Sequence, residues 1–254
     1  MEKIKKHKCG RALVTRPIQD AEKTRARLRE SGFEVMIEPM LEILPVFGSK
    51  PQVIAAISRK PQAILMTSAN GVRMIAGYTD EREISVFAVG DMSAETATEL
   101  GFKKVESASG DVSELAKLVK NKCKPENGFL LHLAGSVVAG ELKEYLEKAG
   151  FEVQRITTYE ARAMTKISPG VKVAIANCEI DFVIFYSART AKIFESLMVA
   201  EKLEYLAPNI EIYCLSKSAE LNLDWKKVHI AKRPNEEELL QLIDRTTSDR
   251  LPKH

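Results

Sequence analysis

The chain has 254 residues, 45% hydrophobic and 29% charged, with a net charge of +3. That length fits one large domain or two of roughly 100–150 residues each, and the balance is that of an ordinary globular chain. So small a positive charge excludes a dedicated nucleic-acid binder, which carries a marked basic excess, yet it leaves room for a local positive surface that attracts an anion.

The basic start "MEKIKKHKCG" lacks the apolar segment of an export signal, and no run of about 18 apolar residues follows anywhere. A cytoplasmic chain with no membrane span is the expectation. "RALVTR" reads as a strand; Pro17 and Gly32 then bracket the helix "AEKTRARLRESG". "FEVMIEP" and "QAILMTS" are strands, with a helix opening at Asn70. "SVFAVG", the helix "SAETATELG" and the helix "VSELAKLVKN" come next. "NGFLLHLAG", "GELKEYLEKAG" and "FEVQRITTYEA" read as strand, helix and strand. "DFVIFYS" leads into the helix "ARTAKIFESLM", and "IEIYCLS" into the helix "KSAELNLDW". "NEEELLQLIDRTT" is the last helix. Apolar runs alternating with helices define an α/β chain whose parallel sheets are covered on both faces.

Parts of this series occur twice. "LRESGFEV" returns as "LEKAGFEV" 118 residues later, the opening stretch returns at an offset of 119, and Ala94 aligns with Ala219 at 125. The order A–B–C–A′–B′–C′ points to a duplication. Two long extended intervals, "EPMLEILPVFGSKP" and "TTYEARAMTKISPG", separate A from B and A′ from B′. Two arrangements remain open: contiguous halves, or A folded with B′C′ while BCA′ forms the other domain. The second makes both extended intervals interdomain crossings.

The strand-to-helix turns are where chemistry is expected. A helix start presents unpaired N–H groups and the positive end of its dipole, and open α/β sheets bind ligands beyond the carboxyl ends of their strands. Thr67, Ser68 and Asn70 in "ILMTSANGV" and Ser187 in "VIFYSART" sit at such turns. They suit a carboxylate or phosphate, although plain N-capping uses the same residue types. Arg16 in "VTRP" can pair an anion bidentately, or be a surface arginine. Ser93 and Ser218 stand at comparable helix starts, and Gly90 permits close backbone approach. Tyr159, in the second extended interval, offers a phenol as hydrogen-bond or proton donor, or packs at a domain junction. Cys9, Cys123, Cys178 and Cys214 form no CxxC pair and read as reduced thiols; the four histidines show no metal-ligand spacing. His132, inside "GFLLHL", reads as a packed or hydrogen-bonded core residue. GxGxxG, GxxxxGK[ST] and GxSxG are all missing.

The ordered set "VTRP", "DAEKTRARLRESGFEVMIEPMLEI", "TSANGV", "VGDMSAETATELGF", "YEARA" and "RPNEEELLQLI" resembles the uroporphyrinogen-III synthase family over nearly the whole chain. The resemblance implies the swapped arrangement: two similar parallel-sheet α/β domains joined by a two-stranded extended linker, with the active-site cleft between them. Residues 1–38 and 166–254 would form the first domain, 48–157 the second, and 39–47 and 158–165 the linkers. It implies as substrate hydroxymethylbilane, a linear tetrapyrrole with eight carboxylates, cyclised with inversion of ring D through a spiro intermediate and loss of water. It implies no cofactor and no metal, no nucleic-acid or membrane partner, a monomer, and contact at most with upstream or downstream tetrapyrrole enzymes. The family's tyrosine falls on Tyr159, the candidate proton donor to the leaving group. Arg16, Thr67, Ser68, Asn70, Gly90, Ser93, Ser187 and Ser218 are the substrate-binding candidates. Leu215 stands where the family often has glycine, and "HLAGS" lacks an arginine often found before its glycine. The alternative reading is a two-domain small-anion binding or regulatory protein without catalytic activity.

Overall fold

The structure, a computed structural model, describes residues 10–137, 141–217 and 221–248. Its strands are β1 (Arg11–Val14), β2 (Glu34–Ile37), β3 (Leu41–Pro45), β4 (Ala63–Met66), β5 (Ser85–Ala88), β6 (Val105–Ser107), β7 (Leu130–Gly135), β8 (Val153–Ala163), β9 (Phe182–Phe185), β10 (Glu211–Cys214) and β11 (Lys227–Ile230). The helices are α1 (Ile18–Glu30), α2 (Ser49–Ser58), α3 (Ala69–Ala76), α4 (Asp91–Glu99), α5 (Val112–Lys122), α6 (Leu142–Glu147), α7 (Pro169–Ala176), α8 (Ala188–Ala200) and α9 (Glu236–Ser248).

The chain divides into two compact units. One takes the described parts of Met1–Glu42 and Ala163–His254, the other Ile43–Arg162. The first holds a five-stranded sheet in the order β11-β10-β9-β1-β2; the second sheet is β3-β8-β7-β4-β5-β6. The ladders β1 to β2 and β9, β9 to β10, β10 to β11, β4 to β5 and β7, β5 to β6 and β7 to β8 are all parallel. β3 differs. Met164 N–H donates to Met40 and Val46 N–H donates to Thr158, steps of opposite sense that mark an antiparallel pairing of the two extended intervals.

Each sheet is buried on both faces, which explains the unbroken apolar runs "AILM" and "FVIF", buried at all four positions. In the first unit Leu13, Val183 and Phe185 meet Val171 and Ile175 of α7 and Phe194 of α8. The opposite face sets Val14 and Phe182 against Leu28 of α1 and Leu239 and Ile243 of α9. In the second unit Ile64, Met66 and Leu131 pack on α2 and α3, while Leu65, Phe87 and Leu130 pack on α5 and α6.

Strand registers make the duplication explicit. Leu13 lies opposite Val183 in one sheet and Leu131 opposite Ile64 in the other. β1, β2, β9, β10 and β11 therefore correspond to β7, β8, β4, β5 and β6, and A packs with B′ and C′. The register sets the offset of the opening stretch at 118 rather than 119, so Val14 corresponds to His132.

One expected helix is corrected. Within "KSAELNLDW", residues 221–225 are not helical; 218–220 lie outside the described residues. Seventeen positions separate Ala88 from Val105, but only fourteen separate the corresponding Cys214 from Val228. The shortfall is nearly one helical turn. The buried Glu195 carboxylate of α8 takes up the unpaired donors instead, accepting from the Asn222 and Leu223 backbone N–H groups and Trp225 Nε1. Helices α2 and α7 and the short strands β6 and β11 were not anticipated. They are brief, and α2 starts after Gly48 in the left-handed region with no side-chain cap to announce it.

Candidate active site

In both sheets the chain reverses its winding direction once. β4 runs through α3 to β5 on one side, while β7 lies on the other; likewise β9 runs through α8 to β10, with β1 opposite. The crevice at such a reversal, beyond the carboxyl ends of the two strands, is where open α/β sheets take ligands. In the second unit it lies between the ends of β4 and β7, in the first between those of β9 and β1.

In the second unit, Thr67 and Ser68 follow β4 directly. Ser68 caps α3 in extended backbone, φ −160° and ψ 144°, and its Oγ accepts the Asn70 N–H at 3.1 Å. Asn70 Oδ1 accepts from Arg73 Nη1 at 3.0 Å, so the amide N–H₂ of Asn70 is not used in that bond and can serve as a donor. Gly71 brings α3 close to β7: a Cβ there would lie 3.0 Å from the Leu133 carbonyl.

Beside these turns sits Tyr159, 8% exposed and paired with Gly135 across a register shift at the end of β7. A Cβ on Gly135 would stand 2.8 Å from two ring carbons of Tyr159 and 3.1 Å from its hydroxyl, so the ring rests on the glycine. Its backbone is tied down as well, the Ser136 N–H donating to its carbonyl at 2.9 Å. Among the described residues nothing hydrogen-bonds the Tyr159 hydroxyl. It is a positioned donor with no internal partner there.

Gly90 and Ser93 lie at the next strand end. Gly90 caps α4 in extended backbone with open space where a side chain would be. Ser93 is 7% exposed and its N–H is spent on the Gly90 carbonyl. The first residue of α4, Asp91, accepts the Ser107 and Ser109 hydroxyls at 2.7 Å each, and these two bonds hold its carboxyl below the ordinary range. This helix start already carries a negative charge, which disfavours an incoming carboxylate.

In the first unit, Ser187 repeats Ser68. It caps α8 with φ −155° and ψ 153°, accepting the Thr190 N–H at 3.2 Å, and it is exposed. Ser218 lies outside the described residues. Arg16 departs from expectation: it is 6% exposed, its guanidinium stacks 4.0 Å over the Tyr186 ring, and Nη1 donates to Thr24 and Glu236. A guanidinium so engaged is not held out to solvent, and the reading of Arg16 as an open anion clamp gives way to a buried charge network. Sequence reasoning missed its partners Thr24, Tyr186 and Glu236. The one local signal was the acidic run at the start of "NEEELLQLI", a common first-turn preference that does not name its contacts.

His132 is fully packed, as expected, but not hydrogen-bonded: both ring nitrogens are buried and unpartnered among the described residues. Burial, with the Arg155 guanidinium beside it, pushes its pKa down to about 4. No group of three or more His, Cys, Asp or Glu among the described residues is placed to hold a metal ion, and no helix there is long and apolar enough to cross a membrane.

The contact between Gly135 and Tyr159 carries a prediction. Gly135→Ala must push the ring aside, at a cost of about 1–3 kcal/mol for overpacking, and with it the hydroxyl. Denaturant unfolding is expected to show the stability loss, and a turnover assay a fall in rate larger than that loss explains; an unchanged rate would mean that the ring position is not used.

Fold and site define a class: duplicated α/β proteins of two units, each a doubly wound sheet with a serine-capped turn at its reversal point. The sequence model described as uroporphyrinogen-III synthase HemD matches residues 22–241. The chain belongs to the uroporphyrinogen-III synthase family. It is similar to a porphyrin biosynthesis protein HemD of Ruminiclostridium josui, 26% identical over 206 residues, 76% of this chain and 40% of that relative. The match thus covers 40% of the length of that relative. Among solved structures it is similar to uroporphyrinogen-III synthetase of Helicobacter pylori, with a TM-score of 0.57 at 17% identity, covering 92% of this chain and 97% of that one. It is also similar to a mutant uroporphyrinogen III synthase of Thermus thermophilus, with a TM-score of 0.53 at 18% identity, covering 94% and 99%. Both likenesses concern the fold.

Proposed function

We propose that the chain cyclises hydroxymethylbilane to uroporphyrinogen III, inverting ring D, in tetrapyrrole synthesis. Family membership supports the reaction; the observation that carries it to particular residues is the Tyr159 hydroxyl, positioned by Gly135 at a sheet reversal and without a partner among the described residues. The substrate's terminal hydroxyl leaves with a proton as water, and the C–O bond's electrons go with it. The resulting azafulvene is attacked by the substituted carbon of ring D, giving a spiro centre. The bond from the spiro carbon to its original methylene bridge then breaks, regenerating an azafulvene, and that methylene closes on the other α-carbon of ring D, which gives up its proton, so the ring is inverted. Tyr159 donates the hydrogen bond or proton to the departing oxygen, because without it hydroxide would have to leave.

The turn at Thr67, Ser68 and Asn70 receives substrate carboxylates through backbone N–H groups and the Asn70 amide, and Ser187 does the same in the first unit. Gly90 contributes backbone only, with Ser93 supporting it from the buried side of α4; Ser218 is assigned by resemblance. Arg16 acts indirectly, through the network that holds the end of β1. Dispersed neutral donors suit a flexible polyacid: they hold its folded shape without the tight ion pairs that would retain the product. Domain limits at 38/39, 47/48, 157/158 and 165/166, a monomeric state and a cytoplasmic site of action complete the proposal.

The test is incubation with freshly made hydroxymethylbilane, followed by oxidation and separation of the ring isomers. The expected product is the inverted isomer, formed faster than spontaneous closure. If only the uninverted macrocycle accumulates, at the rate seen without protein, the proposal is wrong.

A further inference from the structure

The buried network in the first unit has the composition of a ligand site. Glu236, the first residue of α9, places one oxygen, Oε1, among three donors: Thr24 Oγ1 at 2.6 Å, Tyr186 Oη at 2.7 Å and Arg16 Nη1 at 3.0 Å. The donors come from three elements: Arg16 from the turn after β1, Thr24 from α1, and Tyr186 from the turn after β9. The sequence separations to Glu236 are 220, 212 and 50. Thr24 is wholly buried, Arg16 is 6% exposed, and the guanidinium lies flat on the phenol ring. Burial, followed by the Glu236 charge, pushes the Tyr186 phenol above its ordinary range, so it stays a donor. The position is also the one the topology reserves for ligands, since Arg16 and Tyr186 follow the two strands at the reversal point, β1 and β9.

We propose that Arg16, Thr24 and Tyr186 form a carboxylate-binding pocket whose resident ligand is the chain's own Glu236, and that a small carboxylate enters it only when this side chain is absent or displaced. The proposal is independent of the reaction above, because it concerns a preformed receptor for one carboxylate group, whatever molecule bears it. It accounts for an asymmetry between the units. In the second unit Thr67 stands where Tyr186 stands in the first, and the tyrosine beside the end of β7, Tyr159 of β8, has a hydroxyl without a partner among the described residues, whereas the Tyr186 hydroxyl is closed off by α9. The two reversal points are therefore unequal: in the first, the position among Arg16, Thr24 and Tyr186 is filled by Glu236, beside the exposed cap at Ser187.

Glu236→Ala tests this in the full chain. Trp225, the single tryptophan, packs in the first unit's core, so its fluorescence follows unfolding of that unit. Truncation is expected to lower the denaturation midpoint, and acetate or propionate near 0.1 M to restore part of the loss, because a ligand bound only to the folded state stabilises it by mass action. Sodium chloride of equal ionic strength and neutral acetamide are expected to restore none of it, and acetate is expected not to raise the wild-type midpoint beyond chloride. Adding Tyr186→Phe to Glu236→Ala should weaken the acetate response several-fold through the loss of one donor. Glu236→Gln fills the pocket with a neutral group and should be destabilised but indifferent to acetate. The proposal is overturned if acetate and chloride act alike on Glu236→Ala, if Glu236→Gln responds to acetate as strongly, or if Glu236→Ala stays unfolded in acetate.

Discussion

Tyr159→Phe is expected to slow turnover by about 10²-fold or more, the lower end of what a positioned general acid contributes, with almost no change in stability. The substitution removes one oxygen and keeps the ring that rests on Gly135. Since nothing among the described residues hydrogen-bonds that hydroxyl, no buried partner is orphaned when it goes. The two readouts therefore separate. A packing role would show in denaturation and leave the rate alone; a donor role does the reverse. The lost interaction belongs to bond breaking, so kcat and kcat/KM should fall together with KM little changed. Wild-type turnover in Tyr159→Phe, with inversion intact, would move the donor to another group, such as a carboxyl of the substrate.

The second large effect concerns acid. His132 carries two buried nitrogens without partners among the described residues, and its pKa is pushed down to about 4 from an ordinary 6.5. Above pH 6.5 the ring is neutral in folded and unfolded chains alike and adds no pH dependence. Between 6.5 and about 4 the unfolded chain takes up a proton that the folded chain refuses, so stability falls as pH falls. Below about 4 both states are protonated and the full loss, about 3 kcal/mol, has been reached. His132→Leu is expected to abolish this slope and also to stabilise the protein at pH 7.5, because a close-fitting apolar side chain removes two unsatisfied polar atoms. The first unit already has this solution, with Val14 at the matching position. Hydrogen exchange of the β7 amides at pH 7.5 and 5.0, for wild type and variant, measures both effects; equal pH slopes would show that the ring finds a partner when protonated.

Much of the architecture was legible in the chain. Apolar runs such as "AILM" and "FVIF" are long enough for a strand and have no polar alternation, which only a sheet covered on both faces requires. Ser68 and Ser187 announce their helices because N-capping is local, decided within three residues. Legibility failed where local signals were short or where distant segments competed. "KSAELNLDW" has a helical pattern, yet fourteen positions between strand ends and the Glu195 carboxylate reshape the part that is described. Arg16 looked like an anion clamp because Tyr186 and Glu236, which bury its guanidinium, lie far along the chain, and Thr24 sits inside α1 with nothing local to mark it as a partner.

What the sequence determined alone was the α/β class, the duplication and the capped turns at strand ends, all consequences of neighbouring residues and their periodicity. What only the tertiary structure decided was which copy of each segment packs with which, how the Gly135 surface seats Tyr159, and that Glu236 fills the carboxylate position of the first unit. Those depend on contacts between segments some 24 to 220 residues apart, which is the loop-closure scale that no local pattern encodes.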